Sequence, residues 1–104
     1  MSTKPNFLGS VEQHPTEAIT YTIDTVNNGA GVPSGVALRA YDKSDWSPVT
    51  PSTFTSAVST TVIAVQVGGL SDNTTYRIEV EYTKGADTDT DLFDIICEDH
   101  RNNT

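Results

Sequence analysis

Apolar residues in this chain recur at every second position in several runs, the spacing of a strand with one buried face. The clearest run is Tyr76-Arg77-Ile78-Glu79-Val80-Glu81-Tyr82, with Tyr76, Ile78, Val80 and Tyr82 on one side and Arg77, Glu79 and Glu81 on the other. Ile19, Tyr21 and Ile23 form a second stripe, and Val36, Leu38 and Ala40 a third. Val62 to Val67 is almost wholly apolar, as a central strand of a sandwich is. Phe93, Ile95 and Cys97 form the last stripe, and the Thr- and Ser-rich stretch around Phe54 and Val58 adds one or two strands more. No segment repeats apolar residues at helical spacing over three turns, so no helix is expected.

Turn residues separate these runs. They lie in Asn27 to Gly35, in Ser44 to Pro51 around Trp46, in Gly68-Gly69 and Ser71-Asp72-Asn73, and in the hairpin signal Lys84-Gly85-Ala86-Asp87. About seven short strands at this spacing predict an all-β fold, a single antiparallel immunoglobulin-like β-sandwich. The sandwich is assigned to residues 11–98. Residues 1–10 are polar and read as an N-terminal arm, and residues 99–104 as a C-terminal tail, both ordering on a partner.

Leu70 and Tyr76 carry the most specific fold signal. A Leu, a tight turn and a Tyr six residues on that opens an alternating strand resemble the tyrosine corner of immunoglobulin-like and fibronectin type III domains. A buried phenol needs a hydrogen-bond partner, so the Tyr76 hydroxyl is expected to bond a backbone group upstream, with Leu70 packed beneath it.

Composition narrows the function. The 104 residues fit one domain, with one core and little room for an internal active-site cavity. Six basic and 14 acidic residues give a net charge of −8, which argues against nucleic acid and against anionic membrane surfaces. No apolar run approaches the roughly 20 residues of a membrane span, and no signal-peptide region is expected at the N-terminus. Cys97 is the single cysteine, so neither an intrachain disulfide nor a multi-Cys zinc site can form; it reads as a small core residue.

Candidate chemistry is sparse. Asp87-Thr88-Asp89-Thr90-Asp91 has the alternating carboxylates of a calcium loop, but the sixth position is Leu92 where the sharp turn needs Gly. Glu98 fits the twelfth position yet lies beyond the strand expected at 93–97. These aspartates are therefore expected to form a solvated strand entrance, with no metal. His14 and His100 lie near the two chain ends and have no evident nucleophile or orienting partner, so no catalytic residue and no cofactor is expected. Trp46 and Tyr41 are the candidate contact residues. Trp46 can anchor a protein contact, stack on a sugar, or cap the open end of the sandwich. Asn73-Thr74-Thr75 and Asn102-Asn103-Thr104 match glycosylation sequons, which short sequences produce by chance.

Two stretches carry a family resemblance. Gln13-His14-Pro15-Thr16-Glu17-Ala18-Ile19-Thr20-Tyr21-Thr22-Ile23-Asp24 is similar to the opening of small fibre-type or decoration-type virion proteins of tailed bacteriophages and prophages. Val65 to Val80, with its Gly-containing turn and Tyr-led strand, resembles their second half, and residues 87–97 take the place of their final strand. The first strand departs from the family by running into the Asn- and Gly-rich loop 27–35 instead of an aromatic-rich turn. The resemblance implies a non-enzymatic virion part (capsid decoration, neck or tail fibre) present in many copies or as a homo-oligomer and docking on other virion proteins. The alternative expectation is an adhesive module that binds host-surface carbohydrate through Trp46, Tyr41 or the loop 27–35.

Overall fold

A computed structural model of the chain describes residues 6–26 and 31–98. The described residues hold eight strands: β1 (Asn6–Gln13), β2 (Ala18–Asp24), β3 (Ser34–Asp42), β4 (Ser47–Val49), β5 (Thr53–Ser59), β6 (Val62–Gly68), β7 (Thr74–Lys84) and β8 (Asp87–Cys97). They form a five-stranded sheet in the order β1-β8-β7-β3-β4 and a three-stranded sheet in the order β2-β6-β5. The second, sixth and fifth strands in one layer and the eighth, seventh and third in the other match the immunoglobulin connection. The expected tail at 99–104 and the loop residues 27–30 lie outside the described residues.

The alternating stripes become the core. Ile23 from β2, Ile63, Val65 and Val67 from β6, Ile78, Val80 and Tyr82 from β7, and Phe93, Ile95 and Cys97 from β8 meet between the layers. In β6 the apolar run resolves into buried Ile63, Val65 and Val67 alternating with half-buried Val62, Ala64 and Gln66. Tyr21 meets Phe93 with ring centroids 5.2 Å apart, tying the edge of one sheet to the other.

The corner forms as expected. Tyr76 and Leu70 are buried, and the Ser71 backbone N–H donates to the Tyr76 hydroxyl at 2.9 Å. Gly69 just before it has φ +75, and a Cβ there would stand 1.8 Å from the Ser52 hydroxyl oxygen. Only glycine suits both the left-handed backbone and that approach.

Three expectations need correction. The sandwich is not wholly antiparallel, because β1 runs parallel to β8. The N-terminal arm does not extend to residue 10, since strand pairing begins at Asn6. Its alternation is hidden by a bulge: Phe7 pairs with Leu92 and Ser10 with Asp94, so three steps on β1 match two on β8, with Gly9 at φ +119. The last strand begins at Asp87, not at 93, because the turn at Gly85-Ala86 closes the hairpin and leaves Lys84 opposite Asp87. Asp89 and Asp91 therefore point between the layers and are buried, the opposite of a solvated strand entrance. Asp87 opens one extended strand and Glu98 follows its last residue, and a strand rises about 3.3 Å per residue, so a calcium loop cannot close around them.

Candidate functional site

The candidate contact residues meet on the outer face of the five-stranded sheet. Alternation in β7 turns Arg77, Glu79 and Glu81 outward. The β3–β7 register sets Tyr41 against Arg77 and Arg39 against Glu79, and the β7–β8 register sets Arg77 against Asp94. Arg77 thus stands between Tyr41 on one strand and Asp94 on the other.

Trp46 reaches the same spot from the β3–β4 turn. Two aspartates brace that turn. Asp42 Oδ1 accepts from the Ser44 N–H at 2.9 Å and its hydroxyl at 2.8 Å. Asp45 Oδ1 accepts from the Ser47 N–H at 3.0 Å and its hydroxyl at 2.7 Å. These bonds, the Ser47 N–H foremost, hold the Asp45 carboxyl below its ordinary range. Trp46 itself sits at φ +59 and donates its N–H to the Asp42 carbonyl at 2.6 Å. A bulky residue rarely occupies the left-handed region, where glycine or asparagine is usual. The ring is 53% exposed and lies on the sheet face rather than over the open end of the sandwich.

The Arg77 guanidinium carbon is 5.4 Å from the Trp46 ring centroid and 5.2 Å from that of Phe7, which is also half exposed. Lys43 Nζ stands 5.8 Å from the Trp46 centroid. Such cation–ring contacts are worth about 0.5–1 kcal/mol at exposed sites. Buried Asp94 anchors both cations, accepting from Arg77 Nε at 2.5 Å and from Lys43 Nζ at 2.7 Å. Burial alone would raise the Asp94 carboxyl, but the hydrogen bonds from Arg77 and Lys43 outweigh it and hold the group below its ordinary range. Beside them Arg39 pairs with Glu79 at 3.0 Å and Glu81 at 3.7 Å.

Charge is therefore unevenly placed. Of the four basic residues among the described ones, Arg39, Lys43 and Arg77 share this face, and Lys84 is buried. Three of the chain's six basic residues thus gather on one face of a chain of net charge −8, beside the carboxylates of Asp94, Glu79, Glu81, Asp42 and Asp45. A hollow of about 350 Å³ lined by Asp42, Lys43, Ser44, Asn73, Thr74 and Thr75 opens at its margin.

Of the residues singled out from sequence, Tyr41 and Trp46 come together around Arg77. Leu70 and Tyr76 serve the corner alone, and Cys97 is a buried core residue whose thiol burial pushes up. His14 is engaged within the β1–β2 turn: its ring Nδ1 accepts from the Thr16 N–H at 3.1 Å, and its own N–H donates to Glu17 Oε1 at 2.7 Å. His100 lies outside the described residues. Sequence reasoning missed Phe7, Lys43, Arg77 and Asp94. Arg77 was visible as an outward residue of the cleanest strand, whereas nothing in the sequence links Phe7 to Trp46.

A second polar group lies between the layers at the far end of the sandwich. Lys84 Nζ donates to the Thr25 carbonyl at 2.6 Å, and the Tyr82 hydroxyl donates to Asp91 Oδ2 at 3.0 Å. Asp89 Oδ1 is buried with no hydrogen-bond partner. Among the described residues no group of three or more His, Cys, Asp or Glu side chains is placed to hold a metal ion, and no helix is long and apolar enough to cross a membrane. The sheet face offers exposed rings and held cations, an arrangement suited to binding. No family model and no curated protein matches the chain.

Proposed function

We propose that the chain is a non-enzymatic docking module, a virion structural protein that attaches to other virion proteins through the Trp46–Arg77–Phe7 face. The observation that carries this reading is the exposed stack itself: a guanidinium flanked by two half-exposed rings and fixed from below by buried Asp94. Trp and Arg are enriched among residues that dominate interface energy, and pre-fixed side chains lose less entropy on docking. The left-handed Trp46 adds support, because backbone strain at an exposed aromatic is more readily explained by a contact than by stability. The virion context rests on the resemblance of residues 13–24 and 65–80 to small fibre-type proteins of tailed phages.

An adhesive role has one observation in its favour, the polar hollow beside the Trp46 turn. Protein docking is favoured because Arg77 and Lys43 already lie against the indole ring that a sugar would need. The test uses particles assembled with the wild-type chain, Trp46→Ala or Arg77→Ala. Each variant should fold and lose at least tenfold in particle association, the effect of an interface residue worth about 2 kcal/mol. Full retention by both variants overturns the reading. Saturable binding to host polysaccharide that Trp46→Ala abolishes replaces it with adhesion.

A further inference from the structure

The other sheet carries a surface of a different kind. Residues 46–71 contain no Asp, Glu, Lys, Arg or His, although 20 of the 104 residues are Asp, Glu, Lys or Arg. This uncharged stretch forms β4, at the edge of the five-stranded sheet, and then β5 and β6 of the three-stranded sheet. Within it, β5 is an edge strand of the three-stranded sheet, paired only with β6. Five successive residues, Thr55 to Ser59, are exposed on both faces of that strand.

Edge strands usually carry devices that block further pairing, such as charge, proline, a bulge or shortness. The other three edges have them. β4 spans three residues and includes Pro48, β1 is broken by the bulge at Gly9, and β2 ends in Asp24. β5 has none: Thr53-Phe54-Thr55-Ser56-Ala57-Val58-Ser59 is uncharged, unbulged and seven residues long.

We infer that β5 is a self-association edge whose partner is β5 of a second copy, paired antiparallel across a two-fold axis. Charge selects the occupant. Two chains of −8 repel each other, and the uncharged β5–β6 side of the three-stranded sheet is where they can approach closely. Two-fold pairing sets Ser, Thr, Ala and Val of one strand against the same small residues of the other, with no like charges opposed. The three-stranded sheets then join into one continuous sheet of six across the pair. The inference stands apart from the docking face, which lies on the opposite layer, so either can fail alone.

The test is the mass of the full chain by sedimentation equilibrium across micromolar to millimolar concentration. The wild-type chain should rise from the 11.2 kDa monomer towards twice that mass. Ala57→Glu, at an exposed β5 position, opposes like charges and should weaken association at least tenfold while leaving thermal unfolding nearly unchanged. Thr20→Glu on the β2 edge should associate as the wild type does. Hydrogen exchange of the β5 amides should slow with concentration in the wild type. A wild-type chain monomeric throughout, an Ala57→Glu chain that pairs normally, loss of pairing in Thr20→Glu, or β5 exchange independent of concentration would each overturn the inference.

Discussion

Trp46 is an exposed aromatic residue held against its local backbone preference. Its φ of +59 costs a non-glycine residue about 1–2 kcal/mol. The turn tolerates this because Asp42 and Asp45 each take two hydrogen bonds from the serines that follow them. If the ring is there for a contact, removing it should reveal the backbone strain. Trp46→Gly should unfold at higher denaturant than Trp46→Ala, by about 1 kcal/mol, since glycine alone relieves the left-handed strain. Equal stability of the two variants would show that the turn stores none.

At the scale of elements, the corner between β6 and β7 closes the layers. Tyr76→Phe keeps the buried ring but removes the acceptor of the Ser71 N–H. It should lower unfolding free energy by about 1 kcal/mol, whereas Tyr76→Ala should lose about 3–5 kcal/mol. Both follow from denaturant titration. This element was legible from sequence because its requirements are local: a Leu, a tight turn, and a Tyr that opens an alternating strand. Stripes in β2, β3, β6 and β7 were legible for the same reason. β1 was not, because a bulge breaks its period and its pairing partner lies at the other end of the chain. Periodicity alone starts β8 late, at 93, because Asp89 and Asp91 occupy inward positions where apolar residues are usual. Asp91 is reconciled to burial by the Tyr82 hydroxyl, a partner that no local pattern reveals. The proposed docking face was half legible: Trp46 and Tyr41 could be named as contact candidates, but their meeting around Arg77 required the β3–β7 and β7–β8 registers.

For the whole molecule, Asp94 and Tyr21 are two of the shifted groups that make stability depend on pH. Asp94 is held below its ordinary range in the folded state, so its contribution is complete above the unfolded carboxyl value of about 4. That contribution is lost as pH falls through the lower folded value. Tyr21 is pushed up to about 12 from 10.0, first by burial and then by the charges of Glu17 and Cys97. Its contribution is present below pH 10.0 and lost as pH rises towards 12. Thermal unfolding across pH should therefore show an acid decline reduced in Asp94→Asn and an alkaline decline reduced in Tyr21→Phe. Unchanged limbs in those variants would assign the pH dependence to other groups.

The two proposed contact surfaces lie on the outside of the fold: the aromatic face of one sheet and the uncharged edge of the other. The most direct measurement of the docking claim is oxidative footprinting of Trp46 and Phe7 in the free chain and in assembled particles. Both rings are half exposed when free and should be oxidised readily. Docking through this face predicts strong protection of both in the particle, with Val32 on the far loop unchanged. Equal oxidation of Trp46 in the free and assembled states would contradict it.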